Sequence, residues 1–142
     1  MVIGRNLLIA GGFLGGSACS DYVLVDYRKD TLVKSGKIHE GRYWHGIWYN
    51  AFHKKAYIVF GSNGVKSIEE YDLSQDSWTN LGNCTEISSI SDTMAKAYKS
   101  AIYITMYNRN EVLKFDPAEN KYTFMNTFTL SASTYKGILE ID

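Results

Sequence analysis

The feature that most constrains this chain is a residue pair that recurs with a fixed step. An apolar or aromatic residue stands before an aspartate, and a large side chain follows: Val25-Asp26 then Leu32, Tyr71-Asp72 then Trp78, Phe115-Asp116 then Tyr122. The step from aspartate to large residue is six in all three copies, and the aspartates lie 46 and then 44 residues apart. Repetition at such a period marks an array of small units, none of which can bury its own hydrophobic surface alone. An aspartate at a recurring turn can accept backbone N–H groups, so the three copies read as turn residues rather than as one active site.

The central copy, Gly41 to Cys84, reads as four short strands over Tyr43–Asn50, Ala56–Phe60, Ser67–Leu73 and Ser77–Leu81. The turns between them are His53-Lys54-Lys55, Ser62-Asn63-Gly64 and Ser74-Gln75-Asp76. Short runs rich in Tyr, Ile, Val and Trp, broken by Gly, Asn, Asp and Ser, predict an antiparallel meander. Ala56–Phe60 is apolar on consecutive residues, which predicts a strand covered on both faces. The first copy matches with Leu7–Gly12, Tyr22–Asp26 and Thr31–Ser35. The third matches with Met94–Tyr98, Ala101–Met106, Glu111–Asp116 and Lys121–Met125. The expected fold is all-β, about three four-stranded sheets side by side in units 5–38, 41–84 and 91–128. Residues 134–142 would be the innermost strand of a next or shared unit.

These residues carry a family resemblance. Arg42 with His45, the strand Tyr57–Gly61, then Glu70-Tyr71-Asp72 and Trp78 resemble a kelch repeat. The family's double glycine stands as Gly11-Gly12 in the first unit, is reduced to Gly61-Ser62 in the second, and is replaced by Met106-Tyr107 in the third. The resemblance implies a kelch-type β-propeller whose strand-four residue packs between blades. It marks Gly11, Gly12, Gly61, Asp26, Tyr71, Asp72, Trp78, Phe115, Asp116 and Tyr122 as structural. Propellers close with typically 4–8 blades. Here the first unit is expected to lack its innermost strand, and Tyr135–Ile141 resembles one with no blade after it. The expectation is a partial propeller, either cut from a longer chain or completed by a second copy as a homodimer.

Charge and spacing remove several functions. Fifteen basic and fifteen acidic residues leave no net charge, against the clustered Lys and Arg that a nucleic-acid footprint needs. No stretch approaches the ~20 apolar residues of a membrane span. The N-terminal MVIGRNLLIAGGFLGGSAC has the outline of a signal segment, but Leu8–Gly12 shares the repeat frame of Tyr57–Gly61. As a strand it implies a cytoplasmic chain with Cys19 and Cys84 as free thiols. None of His39, His45 and His53 is spaced with another ligand as a metal site needs. Gly11-Gly12 with Gly15-Gly16 lacks the helix and lysine of a phosphate loop. The serines at 88, 89, 91, 131 and 133 have no histidine in reach. No catalytic residue, metal or cofactor is therefore expected.

What the resemblance implies for function is a protein-binding module or scaffold. The turns after strands two and four share one rim: Phe13–Ser20, Ser62–Lys66 and Tyr107–Asn110, with Ile38–Tyr43, Asn83–Asp92 and Asn126–Thr134. They carry Arg42, Arg109, Asn63, Asn108, His39 and Glu40, a polar set suited to an extended or acidic peptide. Arg42 and Arg109 are the expected anchors, with little role in stability, because a guanidinium binds a carboxylate with two bonds. The alternatives are a structural segment within a larger assembly, or an enzyme resembling the kelch-like copper oxidases and sialic-acid isomerases.

Overall fold

The recurring six-residue step is a hairpin register. The computed structural model describes residues 1–62, 64–87, 93–98, 100–106 and 111–125. In it Val25 pairs with Leu32, Tyr71 with Trp78 and Phe115 with Tyr122 across antiparallel strands. The aspartates cap the loops between them. Asp26 Oδ1 accepts the N–H groups of Arg28 and Lys29, Asp72 Oδ1 those of Ser74 and Gln75, and Asp116 Oδ1 that of Ala118. Asp30, Asp76 and Asn120 close the same loops with φ of 52°, 54° and 49°. Asp and Asn tolerate this left-handed region better than other side chains.

The described strands are β1 (Val2–Ile3), β2 (Asn6–Ala10), β3 (Phe13–Leu14), β4 (Ser17–Ala18), β5 (Asp21–Asp26), β6 (Thr31–Lys37) and β7 (Gly46–Asn50). Then come β8 (Lys55–Val59), β9 (Ser67–Asp72), β10 (Ser77–Asn83), β11 (Thr93–Tyr98), β12 (Ala101–Met106), β13 (Val112–Asp116) and β14 (Lys121–Met125). They form three four-stranded antiparallel sheets, β1-β2-β5-β6, β7-β8-β9-β10 and β11-β12-β13-β14, plus the small hairpin β3-β4. The fold is all-β with blade-like sheets that do not close on themselves. No helix among the described residues is long and apolar enough to cross a membrane.

Two hydrophobic cores lie between the sheets. Ala56, Tyr57, Ile58 and Val59 of β8 are all buried, as their unbroken apolar run predicts. Ala56 and Ile58 pack with Leu8, Ala10, Tyr22 and Leu24 of the first sheet. Tyr57 and Val59 pack with Ile102, Ile104, Leu113 and Phe115 of the third. The large residues of β10 and β14 each lie against the preceding sheet. The Trp78 ring is 5.5 Å from Tyr22 and 5.0 Å from Tyr71. That of Tyr122 is 6.1 Å from Phe60 and 4.6 Å from Phe115. Leu32 holds the same register position with no described sheet in front of it, and it is 63% exposed. Val2 and Ile9 are exposed on the same face, in line with Leu32 through the pairings Val2–Leu7, Leu7–Val25 and Val25–Leu32.

Three expectations change. The first sheet does have an innermost strand, the two-residue β1, which a tight turn at Gly4-Arg5 returns onto β2. The first strand of the central unit starts at Gly46 rather than Tyr43, because Trp44 has φ of 51° and breaks the extended run. The segment Phe13–Ser20 contains the β3-β4 hairpin rather than plain loop. The expected strand over 134–142 lies outside the described residues.

The register predicts unequal costs for equivalent residues. Trp78→Ala removes a ring held between two sheets and should cost roughly 3–5 kcal/mol. Leu32→Ala, on the uncovered face, should cost within about 0.5 kcal/mol. Urea unfolding of the two variants checks this; equal losses would show that the Leu32 face is covered in solution.

Candidate functional site

The segment that crosses from β6 to β7 is held by a buried ion pair. Arg42 is fully enclosed, and so is Glu69 of β9. Arg42 Nη2 donates to Glu69 Oε1 and to Ser67 Oγ, and Nη1 donates to the Phe60 and Ser67 carbonyls at 3.1 and 3.0 Å. Arg42 Nε donates to the Glu40 carbonyl, and the Ser67 hydroxyl to the Glu40 carboxylate. Glu69 also accepts the His39 N–H at 2.7 Å and the Glu40 N–H at 3.1 Å, and lies 2.8 Å from His39 Nδ1. Burial lowers the Arg42 pKa, and the Glu69 and Glu40 charges oppose that shift.

The same segment is wedged between two glycines. A Cβ on Gly11 would lie 2.5 Å from the Arg42 carbonyl oxygen and 2.8 Å from His45 Cε1, at φ of 69°. A Cβ on Gly61 would lie 3.0 Å from Arg42 Cβ and 3.1 Å from the Tyr43 carbonyl oxygen, at φ of 141°. A side chain at Gly11 would collide with the neighbouring backbone, and one at Gly61 would crowd it while adopting a φ that L side chains rarely take. The wedge is tied on both sides. Gly12 N–H donates to the Arg42 carbonyl, Ser62 N–H to that of Tyr43 and Thr93 N–H to that of Trp44.

Above the ion pair stands an aromatic pocket. Ala10, Gly12, Phe13, Tyr43, Trp44 and His45 line a cavity of about 460 Å³. Phe13 and Tyr43 rings are 4.8 Å apart at 54°, and Tyr43 and Trp44 rings 5.1 Å apart at 64°. Phe13 and Trp44 are 60% and 66% exposed. A tryptophan both exposed and in the left-handed region is strained by about 1–2 kcal/mol, and such strain gathers at functional sites. At the base of the pocket, burial lowers the His45 pKa to about 4, with the Arg42 charge adding to the shift and the Ala10 carbonyl opposing it. Its Nδ1 is buried with no hydrogen-bond partner.

Of the six residues expected to bind a partner, the structure brings Arg42, His39 and Glu40 into one network. Arg42 is corrected from a rim anchor to a buried structural charge, because Glu69, unassigned from sequence, encloses it. The His39 side chain is half exposed and the Glu40 side chain 41% exposed. Asn63, Asn108 and Arg109 lie outside the described residues. Of the segments expected on one rim, Phe13–Ser20 and Ile38–Tyr43 are joined by the Ile38 and Arg42 N–H groups donating to the Ser20 and Cys19 carbonyls, and Ser62–Lys66 meets Tyr43 through Ser62 N–H and Cys84 through the Lys66 carbonyl. Sequence reasoning placed Tyr43 and Trp44 inside a strand and missed the pocket; Gly41 and Gly46 bracketing Arg-Tyr-Trp-His were the available signal. Among the described residues no group of three or more His, Cys, Asp or Glu could hold a metal. A second, smaller cavity on the opposite rim has its charges paired, Lys55 Nζ with Glu70 at 2.5 Å. No protein-family model matches this chain, and no curated protein matches it.

Removing one partner of a buried ion pair leaves the other uncompensated. Arg42→Ala should therefore cost roughly 3–5 kcal/mol, measured by urea unfolding; a loss under ~1 kcal/mol would mean the pair is solvated. His45 gives a pH signature. Below pH 6.5 the unfolded chain binds a proton that the folded chain refuses until about pH 4. Stability present at neutral pH is therefore lost as the pH falls through that window, by up to about 3 kcal/mol. The pH slope of the unfolding free energy between 6.5 and 5 should shrink in His45→Gln, and an unchanged slope would assign it to another group.

Proposed function

We propose that this chain is a segment of a kelch-type β-propeller that serves as a protein-binding module. On this reading an extended stretch of the partner lies on the rim formed by Phe13, Tyr43 and Trp44. The observation that carries it is the Trp44 ring, two-thirds exposed on a backbone in the left-handed region, where Gly12, Ser62 and Thr93 N–H groups donate to the successive carbonyls of Arg42, Tyr43 and Trp44. Core packing does not account for it, since the ring faces outward. Aromatic side chains that are rigid and partly exposed are the usual anchors of binding surfaces.

The propeller reading is supported by three sheets of one design stacked in chain order. The second and third come closest at their first strands, where a Cβ on Gly46 would lie 2.7 Å from that of Ala95. An acidic peptide is a weaker choice of partner than the sequence suggests, because the Arg42 charge is enclosed by Glu69. The uncovered face around Leu32 favours a companion reading in which a further sheet, from a longer chain or a second copy, completes a larger assembly. Cys19 and Cys84 are both free, in keeping with a reducing compartment such as the cytoplasm.

Comparative capture from cell extract tests the rim. Trp44→Gly removes the ring and relieves the backbone strain, so its melting temperature should stay within a few degrees of the parent. It should lose proteins retained by the parent and by Phe52→Ala, which removes an 89% exposed ring at the opposite end of β7. Identical captured sets for all three would overturn the assignment.

A further inference from the structure

The chemistry lining the rim pocket narrows what can occupy it, and this step rests on the binding-module reading. No side chain lining the pocket carries a charge, since His45 is neutral and the others are Ala10, Gly12, Phe13, Tyr43 and Trp44. The nearby guanidinium of Arg42 is already enclosed by Glu69 and Ser67. A carboxylate or ammonium entering here would lose water and find no counter-charge. The backbone carbonyls are already committed. The carbonyls of Arg42, Tyr43 and Trp44 accept from Gly12, Ser62 and Thr93 at 2.8, 2.8 and 3.1 Å. An added β-strand needs a row of free carbonyls as well as free N–H groups, and the three consecutive carbonyls of this segment are taken.

What remains on offer is ring surface and side-chain donors, the Tyr43 hydroxyl and the Trp44 indole N–H. The matching ligand is apolar and uncharged, rich in acceptors and poor in donors. Polyproline II helix has that description: no internal hydrogen bonds, carbonyls turned outward, and no N–H at proline. Its conformation is largely preformed, so docking orders little chain. The three rings, set at 54° and 64° to their neighbours, leave an angled slot rather than a flat platform. We propose that the pocket between Phe13, Tyr43 and Trp44 binds a proline-rich segment of a partner protein in the polyproline II conformation.

The test is a titration with three blocked nine-residue peptides: all proline, glycine–serine, and glutamate-rich. Backbone and indole N–H chemical shifts report the site. The proline peptide should move the Gly12 and Trp44 signals and bind at least about tenfold more tightly than the other two. Trp44→Phe, which keeps a ring but lacks the N–H, should weaken it about five- to tenfold. Trp44→Gly, verified as folded by its urea midpoint, should abolish it. Tighter binding of the glutamate-rich peptide, proline binding indifferent to Trp44→Gly, or no proline binding at all would each overturn the proposal. If the proline peptide fails while capture of partner proteins still depends on Trp44, the rim stands as a binding site and only the ligand class is wrong. If capture also ignores Trp44, the module reading falls with it.

Discussion

Face-to-face burial of one thin sheet by the next is the interaction on which everything else in this molecule depends. A four-stranded sheet of strands no longer than seven residues has two faces and little thickness, and β8 can be apolar on the consecutive residues Ala56–Val59 only because both faces are covered. Tyr22, Tyr71 and Trp78 meet in the first interface, and Phe60, Phe115 and Tyr122 in the second. Trp78 and Tyr122 arrive there because their hairpin loops have a fixed length. A loop one residue longer would turn Trp78 to the other face of its sheet, since side chains alternate along a strand. The aspartate caps therefore act on packing as well as on turns.

The rim follows from how the chain passes between sheets. The crossing from β6 to β7 has to run over the ends of both sheets, where carbonyl and N–H groups are left without ladder partners. Arg42 resolves this by donating to the Phe60 and Ser67 carbonyls, while Glu69 takes up the N–H groups of His39 and Glu40. With the crossing anchored from beneath, Trp44 is held in a conformation it would not adopt alone. The pocket is thus a by-product of the inter-sheet connection, with its strain met by hydrogen bonds to β11 and to Ser62.

The outer face of the first sheet and the rim remote from the pocket differ in what they leave open. The face bearing Val2, Ile9 and Leu32 repeats the register of a covered interface without a described partner. A contiguous aliphatic face of that kind is unusual for an isolated monomer. The opposite rim, by contrast, has its charges neutralised locally by Lys55, Glu70 and Asp72.

The sequence by itself determined the four-strand plan of the central and third units, the hairpin step after each aspartate and the two-sided burial of Ala56–Val59. These are local properties: a six-residue step, an aspartate cap and a period of two do not depend on distant residues. Which charges are buried, and which aromatic residues face water, only the tertiary structure decided. Arg42 and Glu69 are 27 residues apart, and their meeting depends on how the crossing loop lies over the second sheet. Tyr43-Trp44 has the composition of a strand and would extend in isolation; a left-handed turn there is imposed by the glycine wedge at Gly11 and Gly61 and by Thr93 from the third sheet.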